Sequence, residues 1–205
     1  EGKLRDYQKE GLTWLSFLAE FENGGILADD MGLGKTIQIL AFLLGRQKKT
    51  KLPSLVVAPK SLAFNWMDEA AKFAPGLKVI RYSGSDRVKL LKEMEGVDLV
   101  VTTYGTIRTD IEKLEEFEFD VAIIDEAQAI KNAHSQSAQA VKRIRARHRL
   151  ALTGTPIENS INDLLSILEF TNPGLLHRTK DKDVSKDTTA VLARMLKPFM
   201  LRRKI

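Results

Sequence analysis

Cysteine is absent from the 205 residues, which excludes a disulfide framework and any thiolate-ligated metal. The three histidines, His134, His148 and His177, lie far apart in the chain, so zinc chemistry is not expected. Long apolar runs are missing too. The longest fall well short of the roughly 18 residues that a membrane-spanning helix needs, and the N-terminus carries no signal-peptide pattern. An intracellular, soluble protein with no membrane contact is the expectation. Neither sign of charge dominates: 32 basic against 27 acidic residues leave a formal charge of +5, which permits a polyanionic partner without demanding one. What the chain does have is apolar content, 43% of its residues, enough for one domain with a sizeable core.

Apolar residues Leu4, Tyr7, Leu15 and Leu18 recur at helical spacing across Leu4–Phe21, and the pattern stops before Asn23-Gly24-Gly25. Short apolar runs follow at Gly25–Ala28, Ser54–Ala58, Lys78–Ile80, Val97–Val101, Val121–Ile124 and Leu150–Leu152, and read as buried strands. Helical patterning fills the spaces between them, at Lys35–Gln47, Leu62–Phe73, Val88–Glu95, Ile107–Glu116 and Ser135–Arg145. This alternation predicts an α/β fold with a doubly wound, mainly parallel sheet. Such sheets bind ligands beyond the carboxyl ends of their strands, so the residues just after each apolar run are the candidates for function. Arg178 to Asp187, charged and poor in apolar residues, reads as a surface connection.

Asp30-Met31-Gly32-Leu33-Gly34-Lys35-Thr36 follows the first strand and opens a helix, the context in which a glycine-rich loop cradles phosphate. Gly32 and Gly34 let backbone amides approach phosphate oxygens, and the helix N-terminus adds its positive dipole end. Lys35 then faces the terminal phosphates, and the Thr36 hydroxyl is suited to a bridging Mg2+. The general phosphate-loop pattern places a glycine five positions before Gly34, where this chain has Asp29. Asp125-Glu126-Ala127-Gln128 comes straight after Val121–Ile124 and puts two carboxylates at a strand end. Asp125 is the second candidate metal ligand, Glu126 the group that orients the attacking water, and Gln128 a hydrogen-bonding partner of that network. A third strand ends in Thr153-Gly154-Thr155-Pro156, small residues that can sense charge without blocking the crevice.

These residues, in this order, resemble the Swi2/Snf2 branch of the superfamily 2 ATPases, and the resemblance spans nearly the whole chain. It rests on Leu4-Arg5-Asp6-Tyr7-Gln8 with Gly11 and Trp14, and on Ala28 to Thr36 with Asp29 included. It continues through Val57 to Leu62 with Asn65-Trp66, Thr102-Thr103-Tyr104-Gly105, Asp125 to Gln128 with Lys131-Asn132, and Leu152 to Pro156 with Glu158-Asn159. The resemblance implies a three-layer RecA-like lobe over residues 1–176, with 177–205 leading toward a second RecA-like lobe of the same protein. It implies ATP and Mg2+ as ligands, Gln8 reading the adenine with Arg5 supporting the pocket, and Thr153 and Thr155 coupling nucleotide state to DNA grip. Lys60, Ser61, Asn65, Gly84, Arg87, Thr103, Tyr104, Lys131 and Asn132 would line an edge that grips double-stranded DNA through its backbone, without reading sequence.

The activity implied is DNA-dependent ATP hydrolysis driving translocation, with arginines of the second lobe completing the site. Alone, the first lobe is expected to hydrolyse ATP poorly. Two other readings stay open: a DEAD-box-like RNA helicase, whose second motif typically ends in Asp where this chain has Gln128, and a lobe that binds DNA or partners without hydrolysis. Trp66 and Tyr104 are assigned to packing and not to base stacking. Leu176 to Met195 is shorter than the family leads one to expect. Turns of sequence such as Ala127 to Asn132 have a bacterial look, which suggests a cytoplasmic, nucleoid-associated setting, or a nuclear one in a eukaryote.

Overall fold

Seven strands, β1 (Gly25–Leu27), β2 (Ser54–Ala58), β3 (Val79–Arg81), β4 (Leu99–Thr103), β5 (Glu118–Ile124), β6 (Arg145–Leu152) and β7 (Met200–Leu201), make one sheet in the computed structural model. The order across it is β3-β4-β2-β5-β6-β1-β7, and every pairing is parallel. The structure describes residues 3–154, 161–175 and 197–204.

Among the described residues six α-helices cover the two faces: α1 (Asp6–Glu20), α2 (Lys35–Gln47), α3 (Lys60–Phe73), α4 (Tyr104–Leu114), α5 (Gln136–Lys142) and α6 (Ile161–Thr171). Side chains alternate along a strand, so Leu55 and Val57 of β2 pack with the residues of α4, α5 and α6, while Val56 and Ala58 pack with those of α1, α2 and α3. Because helices bury both faces, the central strands are continuous apolar runs and not alternating ones. Each fully buried aliphatic side chain there contributes about 1.5–3 kcal/mol relative to exposure. The helix starts are specified locally. Thr103 caps α4 by accepting the Thr106 amide at 3.2 Å, and Ser135 caps α5 by accepting the Ala138 amide at 3.2 Å.

The expected α/β alternation is present, and the strand β2 and the helix α2 have the bounds read from sequence. Strand β6 begins at Arg145, the last residue of the expected helix and five residues before the expected strand, and three further features differ. Residues Arg87–Gly96 form a 3₁₀ stretch in place of the helix expected at Val88–Glu95; Met94 is its one buried residue, so little burial enforces α geometry there. The helix α6 was not anticipated. Met200–Leu201, expected to belong to the segment leading away from the lobe, add a strand beside β1. The anticipated boundary near residue 176, the shortened Leu176 to Met195 stretch and the charged run from Arg178 lie outside the described residues. No helix among the described residues is long and apolar enough to cross a membrane.

Candidate active site

The carboxyl ends of β1, β6 and β5 are neighbours in the sheet, and each carries one of the motifs singled out above. Beyond β1 the chain enters the glycine-rich loop. Gly32 has φ +88° and Gly34 has φ +73°, left-handed values that a side chain would strain. A Cβ at Gly32 would meet nothing within 4 Å, so the loop leaves open space there. Gly34 is the N-cap of α2, which places the first-turn amides of that helix at the loop. The ammonium of Lys35 donates to the carbonyl oxygens of Asp29 at 2.7 Å and Asp30 at 3.3 Å. From β6, Gly154 approaches the same loop: a Cβ on it would fall 2.8 Å from Met31 Cγ and 3.5 Å from Lys35 Nζ.

Asp125 directly follows β5, and its carboxylate is held on both sides. Trp66 Nε1–H donates to Oδ2 at 2.9 Å, and the Glu126 amide donates to Oδ1 at 2.8 Å. Tyr104 donates its hydroxyl to the Asp125 carbonyl at 2.7 Å. Burial pushes the Asp125 carboxyl above its ordinary pKa, and the two N–H donors and the Lys35 charge oppose that rise only in part. Glu126 sits at φ 49°, ψ 58°, a left-handed conformation rare for this residue type and of the kind stored at functional sites. Gln128 links the two acidic and hydroxyl motifs: its amide nitrogen donates to Glu126 Oε2, and its oxygen accepts the Thr153 hydroxyl at 3.2 Å. Thr155, Pro156, Glu158 and Asn159 lie outside the described residues.

Met31, Gly32, Gly34, Lys35 and Thr36 share one cleft of about 620 Å³ with Asp125 and Glu126. That arrangement suits a polyphosphate with Mg2+: the open glycine loop and helix N-terminus face anionic oxygens, and Mg2+ is commonly held by one or two carboxylates plus substrate phosphates. Among the described residues no group of three or more His, Asp or Glu forms an independent metal cage.

The remaining expected site residues divide. Gln8 spends its amide on the protein: its oxygen accepts the Arg5 amide at 2.9 Å, and its nitrogen donates to the Leu33 carbonyl at 3.3 Å, bracing α1 against the loop. Gln8, implied by the resemblance to read the adenine, is thus buried on α1 against the loop. Arg5 is exposed and caps α1. Lys60, Ser61, Gly84, Lys131 and Asn132 are exposed. Lys60 and Ser61 follow β2, Gly84 follows β3, and Lys131 and Asn132 follow β5, all at the carboxyl edge. Asn65 is exposed, lines the cleft between the glycine-rich loop and the acidic pair, and donates to Glu69 at 2.8 Å.

Arg87 is not free for DNA phosphates, since it forks onto Asp110 at 2.6 and 3.0 Å and donates to the Gly84 carbonyl at 2.7 Å. Tyr104 is buried with its hydroxyl on Asp125, and Thr103 is engaged as the cap of α4. Two functional contacts escaped the sequence reading: the Trp66 indole on Asp125, and Arg203, whose guanidinium pairs with buried Asp29 beside the loop. A tryptophan after a strand gives no sign of its distant partner, and the unusual Asp29 was the one available hint of the second pair.

Comparison with known proteins bears on the whole of this geometry. Residues 7–205 match the SNF2-related domain. The chain is 41% identical over 221 residues to a putative ATP-dependent helicase/translocase, YwqA, of Bacillus subtilis, covering 99% of this chain and 24% of the relative. It is 38% identical over 236 residues to the TATA-binding protein-associated factor MOT1 of Saccharomyces cerevisiae, covering 98% of this chain and 13% of that protein. Among solved structures it superposes on the Sulfolobus solfataricus SWI2/SNF2 ATPase core in complex with dsDNA with a TM-score of 0.89 at 41% identity, covering 99% of this chain and 45% of the other. The chain thus spans about a quarter or less of the curated relatives named here and under half of the solved core. With its fold, its loop and its acidic pair all in the expected order, the chain belongs to the SNF2-related domain family.

Proposed function

We propose that this chain is the ATP-binding lobe of a DNA-dependent ATPase that moves along double-stranded DNA. The observation that carries the reading is the common cleft, in which the glycine-rich loop and the Asp125–Glu126 pair face one another. Loop amides around Gly32 and Gly34 bind the phosphates. The Lys35 ammonium exchanges the carbonyls of Asp29 and Asp30 for phosphate oxygens. Thr36 and Asp125 would hold Mg2+, which when bound neutralises charge on the phosphates. Glu126, with Gln128 bonded to its carboxylate, orients water in line with the terminal phosphate.

The DNA partner rests on the similarity to the Sulfolobus solfataricus SWI2/SNF2 ATPase core in complex with dsDNA, and on the exposed residues Lys60, Ser61, Lys131 and Asn132 at the same sheet edge. A second RecA-like lobe of the same protein would bring arginines to the cleft, in line with a solved core more than twice the length of this chain. Lys60 and Ser61 begin α3, which carries Trp66, and Tyr104 begins α4. A DNA contact at Lys60 or Ser61 would therefore reach Asp125 through α3, whose Trp66 donates to the Asp125 carboxylate.

The test is ATP hydrolysis by the purified full-length protein that carries this lobe, with no nucleic acid, duplex DNA, single-stranded DNA or RNA. Stimulation by duplex DNA, lost in Lys35→Ala, supports the proposal. Preferential stimulation by RNA favours an RNA helicase, and DNA binding without hydrolysis favours a recruiting module.

A further inference from the structure

Residues 197–204 lie against the phosphate loop from the side away from the cleft. Trp14 Nε1–H donates to the Pro198 carbonyl at 3.1 Å, the Ala28 amide to Leu201 at 2.7 Å, and the Asp30 amide to Arg203 at 3.0 Å. Asp29, the residue that departs from the usual glycine pattern, is fully buried. Its Oδ1 accepts both the backbone amide and Nε of Arg203 at 3.0 Å, and its Oδ2 accepts Arg203 Nη2 at 2.5 Å. The same Nη2 donates to Gln38 Oε1 at 2.7 Å, Nη1 donates to the Tyr7 carbonyl, and the Tyr7 ring centre is 5.2 Å from the guanidinium carbon. Gln38 in turn donates to Asp29 Oδ2 at 3.3 Å.

Two consequences follow from the bond pattern. First, Arg203 grips both ends of the phosphate loop at once: Asp29 stands just before it, and Gln38 is in the first turn of the helix just after it. Second, Asp29 shares its two ends between tail and site, with its carboxylate on Arg203 and its carbonyl on Lys35 at 2.7 Å. The guanidinium holds its donors in one rigid planar fork that meets both acceptors at once, a geometry the ammonium of a lysine does not reproduce. The first helix makes room for the cluster at Gly11, where a Cβ would fall 1.9 Å from Gln38 Oε1 and 2.9 Å from Arg203 Nη2. Neither Arg203, Asp29 nor Gln38 lines the cleft, so any effect on nucleotide passes through the loop.

We infer that Arg203 is a positioning residue of the nucleotide site, and that the C-terminal strand and the phosphate loop are linked, each ordering the other. This rests on the ATP-binding reading above. Linkage is reciprocal for binding, so nucleotide must tighten the strand by the same factor with which the strand tightens nucleotide. Whatever follows residue 205 in the chain then has a mechanical route to Lys35 that does not cross the cleft.

The experiment measures KM and kcat for ATP in the purified full-length protein that carries this lobe, with saturating duplex DNA, for wild type, Arg203→Ala and Arg203→Lys, alongside hydrogen exchange of the wild type with and without a non-hydrolysable Mg-ATP analogue. KM is expected to rise about tenfold in both variants, with kcat at saturating ATP within about twofold of wild type and DNA affinity unchanged. Nucleotide is expected to slow exchange at the Ala28, Asp30 and Arg203 amides and to leave the amides of β3 unaffected. If Arg203→Ala does not fold, Arg203→Lys and the wild-type exchange decide. Unchanged KM in a cooperatively folded variant, or exchange at β7 indifferent to bound nucleotide, overturns the inference alone. A wild type that binds no nucleotide overturns the functional reading, and this inference with it.

Discussion

Asp125 is the residue on which most contacts of the site converge. Its carboxylate is almost out of water, and the Trp66 N–H is one of two donors that keep it bonded. Trp66→Phe keeps most of the ring volume and removes that donor, so Oδ2 is left buried and short of a partner. Urea denaturation is expected to show a loss of about 1–3 kcal/mol, with ATP hydrolysis reduced as well; an unchanged midpoint would mean that the indole N–H holds nothing. A second buried carboxylate gives a pH signature. The Arg87 guanidinium, bonded to Asp110 at 2.6 Å, holds the Asp110 carboxyl below its usual range, with help from the Tyr82 hydroxyl. A depressed carboxyl stabilises the fold in full above its unfolded pKa of about 3.9 and ceases to do so as pH falls through the lower folded value. Wild type should therefore be more stable than Asp110→Asn at neutral pH, and the gap should close only in acid below about pH 4. Denaturation midpoints measured across that range check it.

At the scale of elements, the sequence made the sheet legible because both of its faces are covered. Buried parallel strands are unbroken apolar runs such as Leu55 to Ala58, and the helices between them show their own periodicity. The glycine loop and the acidic pair were legible for a similar reason: each is a short local pattern tied to a strand end. What sequence could not give were pairings between distant residues. Trp66 meets Asp125 across 59 positions, and Arg203 meets Asp29 across 174. Local spacing carries no trace of either, nor of the partners of Arg87 and Tyr104, which the resemblance places at a DNA edge and whose polar groups bond within the protein. The strand β7 escaped because two residues are too few to show a period.

The junction of α6, β6 and β1 offers a test at this scale. Gly24 exchanges hydrogen bonds with the Asn172 side chain, its amide donating at 2.9 Å and its carbonyl accepting at 3.1 Å. A Cβ on it would lie 2.0 Å from the Thr171 carbonyl oxygen and 2.5 Å from that of Arg149. Both are backbone atoms and cannot rotate away. Gly24→Ala should thus cost at least about 1–3 kcal/mol through overpacking, and thermal unfolding measures it.

Over the whole molecule, the sheet's carboxyl edge presents two groups of residues, to which the proposed function gives separate tasks. The residues after β1 and β5, with α3, line the cleft proposed for nucleotide, and the residues after β2 and β3, with those further beyond β5, present the exposed Lys60, Ser61, Gly84, Lys131 and Asn132. If those residues meet phosphates, DNA affinity will not depend on base sequence and will fall linearly on a log-log plot against salt. Removing Lys131 or Lys60 should lower that slope by about 1 each. Titrations of duplexes of unrelated sequence at several salt concentrations measure both.

The central claim is that one triphosphate and one metal ion are held jointly by the loop at Gly32 to Thr36 and by the acidic pair. A crystal structure of the protein with a non-hydrolysable ATP analogue and Mn2+, read from the anomalous signal of the metal, tests this directly. The account predicts a single manganese peak within coordination reach of the Thr36 hydroxyl, the Asp125 carboxylate or its bound water, and the analogue's phosphates, with the Lys35 ammonium on the terminal phosphate. Nucleotide bound elsewhere on the lobe, or a metal peak remote from Asp125, would contradict it.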